Sequence, residues 1–290
     1  MVISSLLAVI GDPIAHSLSP MIHQTIYQQE GIDAAYLPVR VERGGLPAFL
    51  QAADTFSVKG FNATMPHKQD VLPYLKALDP EAKRFGSANT LKRVEGGYMG
   101  YTTDGPGLKR ALEEEGISFY GRRILIVGAG GVTPTVTVTA ALAGAQTMTI
   151  LNRHTDKAQA AAELTTRLSE LTPQWGAMDG APSARQARGF DLVINTTPLG
   201  MAGFDNFTNF DFLDALAPKA AVVDLIYHPF ATSLLKAAQA RGLQAVNGLG
   251  MLAWQAFFAH EIWFGSLPSP QTRRIVLERL QAAANGYDRT

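Results

Sequence analysis

The run Ile124-Leu125-Ile126-Val127-Gly128-Ala129-Gly130-Gly131-Val132 decides the fold of this chain. Its first four residues read as a short apolar strand. Glycines at 128, 130 and 131 then let the backbone turn tightly and approach a phosphate. A helix after such a turn aims its N-terminal N–H groups at an anion. The spacing predicts that helix over 132–143 and a second strand over 147–151, the opening of a dinucleotide-binding βαβ unit. Local propensity argues otherwise, because Val136-Thr137-Val138-Thr139 is β-branched with a strand-like period. The βαβ context favours the helix, with Pro134 in its first turn. A glycine match alone is weak; strand, turn, helix and strand in this order are much more specific.

The end of the second strand selects the cofactor. An NAD site usually places an acidic residue there, whereas an arginine accommodates a 2′-phosphate. This chain has Asn152-Arg153 with Lys157 four residues further on. Arg153 can stack on adenine and pair with phosphate, so NADP is expected over NAD. No charged residue occurs from Ile124 to Asn152, and a membrane-spanning helix needs only about 20 apolar residues. The internal glycines, Pro134 and the many threonines favour a strand, a turn and a buried helix instead.

The pattern continues on both sides. Downstream, strands are predicted over 192–195, 221–224 and 244–246, with helices over 231–241, 249–264 and 271–284. Upstream, strands are predicted over 6–10, 35–39 and 60–64, and helices over 19–29, 46–55, 71–78 and 107–115. Ser19-Pro20 opens the first of these helices, with serine read as the cap. The opening run to Gly11 lacks the basic start of a secretion signal and reads as a strand. Two β-α-β arrays in sequence predict an α/β protein with mostly parallel sheets.

The 290 residues are 47% hydrophobic and 17% charged, which favours two ordinary globular domains. Twenty-five basic and 25 acidic residues cancel, so nothing suggests a nucleic-acid footprint. The absence of cysteine excludes disulfides and thiolate chemistry and fits a cytoplasmic location. No histidine or carboxylate cluster has metal-ligand spacing, so no metal is expected.

The densest polar motifs lie within residues 60–105. Lys68 ends the run Gly60-Phe61-Asn62-Ala63-Thr64-Met65-Pro66-His67-Lys68, and Asp104 sits in Gly100-Tyr101-Thr102-Thr103-Asp104-Gly105. Gly86-Ser87-Ala88-Asn89-Thr90 lies between them. Small polar residues around one lysine and one carboxylate suggest a pocket for a hydroxylated ligand, where the pair can hold or pass a proton.

Across nearly the whole chain these motifs resemble the shikimate dehydrogenases, including the quinate/shikimate branch. The resemblance also rests on Gly11-Asp12-Pro13-Ile14-Ala15-His16-Ser17-Leu18-Ser19-Pro20, Asn195-Thr196-Thr197-Pro198-Leu199-Gly200-Met201, Asp224-Leu225-Ile226-Tyr227-His228-Pro229 and Gly248-Leu249-Gly250-Met251-Leu252-Ala253-Trp254-Gln255. It implies a substrate-binding catalytic domain over 1–105, completed by C-terminal helices from 250–290, and a Rossmann domain over 106–249. It also implies reversible NADPH-dependent reduction of 3-dehydroshikimate to shikimate, in a cleft that closes to exclude water. Lys68 and Asp104 would be the catalytic pair. Ser17, Ser19 and Tyr227 would bind the substrate carboxylate. Thr64, Lys68, Asn89, Asp104 and Gln255 would bind the ring hydroxyls. Gly128, Ala129, Gly130, Gly131, Val132, Asn152, Arg153, Lys157 and Thr196 would hold the dinucleotide, with Leu225, Gly248 and Met251 at the nicotinamide. Thr102 departs from the family, which usually has asparagine there. The expected partner is a small molecule, with no nucleic acid and no membrane; a homodimer is an open expectation. A quinate/shikimate enzyme using NAD or NADP, and a non-catalytic sensor, remain as alternatives.

Overall fold

The computed structural model describes residues 4–287, with side chains through Ala284. They form two compact units. One holds the described residues up to Gly107 together with Ala253–Leu280; the other holds Leu108–Leu252 and the end of the last helix. Each unit is built on a six-stranded sheet.

The first unit begins with β1 (Ser5–Gly11), α1 (Ser19–Glu30), β2 (Ala34–Arg40), α2 (Leu46–Thr55) and β3 (Gly60–Ala63). There follow the single turn α3 (His67–Asp70), β4 (Ala77–Leu78), α4 (Pro80–Phe85), β5 (Thr90–Val94) and β6 (Gly97–Tyr101). The strand order is β2-β1-β3-β5-β6-β4. β1 runs parallel to β2 and β3, while β5 is antiparallel to β3 and β6.

Two expectations need correction here. The helix predicted over 71–78 is absent: α3 gives way to a 3-10 turn at Leu72–Tyr74 and then to β4. The break comes at Leu75, whose backbone is extended (ψ 143°) and leads the chain into β4. Ser19 is the first residue of α1 rather than its cap. Leu18 holds the cap position, and no side chain caps the helix.

The second unit takes most of α5 (Asp104–Glu114), then β7 (Arg123–Val127), α6 (Thr133–Leu142), β8 (Thr147–Asn152), α7 (Thr155–Leu168) and β9 (Gln174–Ala177). It continues with α8 (Ala184–Ala187), β10 (Leu192–Asn195), β11 (Ala221–Asp224), α9 (Ser233–Gln239) and β12 (Gln244–Val246). Its order is β12-β11-β10-β7-β8-β9, parallel throughout. Ile124, Leu125, Ile126 and Val127 are fully buried, as expected for a central parallel strand covered on both faces.

The helix after the glycine turn forms despite its β-branched content. Propensity penalties are at most about 0.7 kcal/mol per residue, whereas burying a valine is worth roughly 1.5–3 kcal/mol. Val136 and Val138 are both buried in α6. The buried threonines are also satisfied: Thr165 donates to Thr137 at 2.7 Å, and Thr137 to the Pro134 carbonyl at 3.3 Å.

The chain ends in α10 (Leu249–Phe264) and α11 (Pro270–Tyr287), which return to the first unit. Trp263 Nε1 donates to the Leu91 carbonyl at 2.9 Å. A Cβ on Gly60 would lie 2.3 Å from that nitrogen, so the indole can seat on β3 only over a glycine. Among the described residues, no helix is long and apolar enough to cross a membrane.

Candidate active site

In the first unit, the end of β3, the start of β5 and the end of β6 share one rim of the sheet. The register Asn62↔Thr90 and Thr90↔Tyr101 fixes this. Lys68 follows β3, Asn89 precedes β5 and Asp104 follows β6, so three segments distant in sequence deliver one cluster.

Lys68 Nζ lies 2.6 Å from Asp104 Oδ2. The lysine side chain keeps 35% of its surface exposed and the aspartate 10%, so the ammonium is the member a ligand can reach. Asn89 holds the other carboxylate oxygen: Nδ2 donates to Asp104 Oδ1 at 2.9 Å and to Thr103 Oγ1 at 3.0 Å. The orientation of this amide is set by the backbone, because the Thr103 N–H donates to Asn89 Oδ1 at 2.9 Å. Gln255, on α10, stands 3.4 Å from Asn89 Nδ2. Its approach depends on Gly107, where a Cβ would meet the Gln255 backbone nitrogen at 2.8 Å.

Backbone bonds fix each carrier. The Ala88 N–H reaches the Lys68 carbonyl at 2.9 Å, the Asn89 N–H the Tyr101 carbonyl at 3.0 Å, and the Gly107 N–H the Thr103 carbonyl at 2.9 Å. His67, buried beside Lys68, contacts the Val41 carbonyl through Nε2 at 2.6 Å. Thr64 leaves β3 with its N–H on the Ile10 carbonyl at 2.9 Å. Gly11 makes room for it, since a Cβ there would lie 2.5 Å from Thr64 Cγ2. Ser17 and Ser19 are half-buried at the start of α1, linked by the Ser19 N–H on Ser17 Oγ at 3.3 Å.

The structure thus gathers Lys68, Asn89, Asp104 and Gln255 by direct contact, and pairs Ser17 with Ser19. Asn62 and Thr103 carry no expected role from their motifs, yet both bond into the cluster. Asn62 Nδ2 donates to Thr90 Oγ1 at 2.9 Å and to the Asn89 carbonyl at 3.0 Å. Their signal was a polar side chain on a short strand and a second threonine beside the aspartate.

The predicted phosphate turn is in the second unit. Gly128 has φ +111°, and a Cβ there would meet Thr196 Oγ1 at 2.5 Å. Thr196 anchors the turn: its hydroxyl reaches the Val127 carbonyl at 3.0 Å and Thr133 Oγ1 at 2.8 Å. Gly130 and Gly131 are different. A Cβ on Gly131 would meet nothing within 4 Å, and one on Gly130 only the Thr196 carbonyl at 3.9 Å. The backbone at these two glycines, just before α6, is therefore open to approach by a ligand.

Asn152 Nδ2 holds the His154 carbonyl at 2.9 Å, while Arg153 and Lys157 are exposed. Arg153 borders a depression of about 700 Å³ that Met178, Pro182 and Asn209 also line. An exposed cation just after β8 and another in the first turn of α7 suit a phosphate rather than bare ribose hydroxyls. Gly248 is forced by packing, since a Cβ would sit 2.2 Å from the Leu225 carbonyl oxygen. Ala129, Val132, Leu225 and Met251 all pack on one core cluster of this unit. Tyr227 follows β11 and is half-buried. Asp224 anchors this region, accepting from Thr232 at 2.6 Å, Asn195 at 3.0 Å and the Ile226 N–H at 3.2 Å. Burial pushes its carboxyl up to about 6, against those three donors. Among the described residues no group of three His, Cys, Asp or Glu could hold a metal ion.

Comparison with known proteins gives a consistent result. A family model described as the shikimate dehydrogenase substrate binding domain matches residues 9–91. Shikimate dehydrogenase (NADP(+)) of Geobacter sp. (strain M21) is 40% identical over 262 residues, covering 90% of this chain and 90% of that protein. A crystal structure of shikimate 5-dehydrogenase from Listeria monocytogenes, in complex with shikimate and NAD, matches with a TM-score of 0.85 at 32% identity, covering 94% of this chain and 96% of that one. The ligand-free 5-ketofructose reductase of Gluconobacter sp. strain CHM43 matches with a TM-score of 0.84 at 31% identity, covering 96% and 99%.

Proposed function

Because this chain belongs to the shikimate dehydrogenase family, we propose that it interconverts 3-dehydroshikimate and shikimate with NADP. The observation that carries this reading is the 2.6 Å Lys68–Asp104 pair with Asn89 on the second carboxylate oxygen. When bound, the dinucleotide supplies or accepts the hydride. Lys68, as an ammonium, stabilises negative charge on the substrate oxygen and delivers the proton that completes the hydroxyl. Asp104 holds that ammonium in place. In the oxidative direction the same pair takes the hydroxyl proton.

The substrate is a small polyhydroxylated acid, and donors at fixed positions reject analogues by leaving polar groups unpaired. Residues 1–105 and 250–290 form its domain in this proposal, and 106–249 the cofactor domain. Ser17, Ser19 and Tyr227 bind the carboxylate; Thr64, Asn89 and Gln255 bind ring hydroxyls. The turn from Gly128 to Val132, with Asn152, Arg153, Lys157 and Thr196, holds the dinucleotide. Leu225, Gly248 and Met251 border the nicotinamide. The open space over Gly130 and Gly131 and the exposed Arg153 and Lys157 support NADP. A cytoplasmic location and a homodimer belong to the same proposal.

The likeness to a 5-ketofructose reductase names a competing substrate, another polyhydroxylated carbonyl compound. The test follows reduced nicotinamide by absorbance. Shikimate and quinate are oxidised with NADP and with NAD, and 5-ketofructose is reduced with NADPH. The proposal expects shikimate with NADP to exceed every other combination at least tenfold in kcat/KM. Preferred turnover of quinate or 5-ketofructose would replace the substrate, and no turnover with any would favour a sensor.

A further inference from the structure

A buried tyrosine, Tyr36, bonds to the polar network behind the proposed substrate site. Tyr36 lies on β2, opposite Leu7 of β1, which in turn faces Gly60 of β3. Asn62 is two residues beyond Gly60 and therefore on the same face of the sheet. Across that face the Tyr36 hydroxyl donates to Asn62 Oδ1 at 2.6 Å.

The bond has a defined direction. The other end of the Asn62 amide donates to the Asn89 carbonyl, which can only accept, so Oδ1 must face the phenol. Burial pushes the Tyr36 hydroxyl well above the ordinary tyrosine range, while the Ser19 side chain, as a hydrogen-bond partner, pulls it the other way. The phenol therefore stays protonated and remains a donor to Asn62. Its ring cannot wander: it is fully buried, His23 stacks on it with centroids 4.3 Å apart at 22°, and Trp263 lies 6.1 Å away.

Beyond Asn62 the polar contacts are continuous. Asn62 reaches Thr90 Oγ1, Thr90 reaches Asn89 Oδ1 at 3.2 Å, and Asn89 reaches Asp104. We propose that Tyr36 is a positioning residue that fixes the Asn62 amide and, through it, holds the Asn89–Asp104–Lys68 cluster in register with the substrate. This rests on the shikimate reading for the identity of the substrate, though the brace itself does not depend on it. The alternative is a tyrosine that merely fills the space between β2 and α1.

Tyr36→Phe keeps the ring and removes the donor. Two measurements on the whole protein separate the outcomes. The first needs no turnover: hydrogen exchange of the Asn62 and Asn89 side-chain amides, followed by NMR. A brace predicts exchange at least tenfold faster in Tyr36→Phe for Asn62, with a smaller increase for Asn89. The second is steady-state kinetics with shikimate and NADP. Positioning predicts a 10- to 100-fold loss of kcat/KM for shikimate, with KM for NADP within twofold of wild type. It also predicts that Tyr36→Phe adds nothing to Asn62→Ala, because the first acts through the second. Unchanged amide exchange would overturn the proposal, as would losses that add in the double variant. A wild-type protein without shikimate turnover would sink the functional reading alone, since the exchange measurement would still decide the brace.

Discussion

The side-chain amide of Asn89 donates to Oδ1 of Asp104 at 2.9 Å, on the carboxylate oxygen that Lys68 does not hold. One carboxylate is thus fixed from both sides, by a cation and by an amide whose own orientation the Thr103 N–H sets. Asn89→Ala would leave the buried Thr103 N–H and Asp104 Oδ1 without their partner. The expected losses are about 1–3 kcal/mol of stability and roughly 10- to 100-fold in kcat/KM. Urea unfolding and steady-state kinetics check both. Normal activity with reduced stability would make Asn89 a structural residue only.

Gly128 and Gly131 belong to one turn but should fail in different ways. At Gly128 an alanine faces φ +111° and Thr196 Oγ1 at 2.5 Å, so Gly128→Ala should destabilise the fold by more than about 2 kcal/mol. At Gly131 an alanine meets nothing within 4 Å. Gly131→Ala should change stability by no more than about 0.5 kcal/mol and yet raise KM for the dinucleotide. Thermal unfolding with cofactor titration separates the two. An unchanged KM in Gly131→Ala would remove the phosphate from that turn.

Arg153 is exposed, so its removal should cost the fold little. Arg153→Ala is expected to raise KM for NADP about 10- to 100-fold, the loss of one charged phosphate contact, and to leave NAD nearly unaffected. Equal effects on the two cofactors would contradict a 2′-phosphate role.

The pH dependence of stability sets two effects against each other. Burial lowers His23 from its ordinary 6.5 to about 3 and His260 to about 4. Both are neutral in the fold, so their contribution is present above about pH 6.5 and is lost as pH falls below it. Asp224 works in the opposite sense. With its folded value raised to about 6, its contribution is full below about pH 4 and fades as pH rises through 6. Two histidines displaced further should outweigh one carboxylate, and stability should fall between pH 6.5 and 4. Urea midpoints across that range test the sign. His23→Phe should flatten the slope, and an unchanged slope in that variant would show that His23 is not its source.

Much of this was legible in the sequence because local chemistry was specific. The glycine run 128–131 and its flanking strands gave the second unit, and the motifs around Lys68, Asn89 and Asp104 gave the cluster. What was missed depends on distance. β5 and β6 are short, β6 begins at Gly97 and contains Gly100, and their antiparallel pairing with each other and with β3 is set by register rather than by periodicity. The helix predicted over 71–78 stops after one 3-10 turn, where Leu75 turns extended toward β4. Tyr36 reads in sequence as one more strand aromatic; only the sheet order brings it to Asn62. Ser19 followed by proline has the pattern of a helix cap, but the helix begins at Ser19 itself, and its N–H turns back to Ser17.

Lys68, held by Asp104, passes the proton at the reacting oxygen: as an ammonium it gives the proton in reduction, and as the amine left by that step it takes the hydroxyl proton in shikimate oxidation. The most direct test is kcat for shikimate with NADP in the wild type and in Lys68→Ala, with urea unfolding on both. A fall of at least about 10³-fold in kcat is expected, together with a loss of about 1–3 kcal/mol of stability as Asp104 Oδ2 is left without its cation, so urea unfolding shows a protein that still folds cooperatively. A Lys68→Ala enzyme that keeps more than a tenth of wild-type kcat would contradict it.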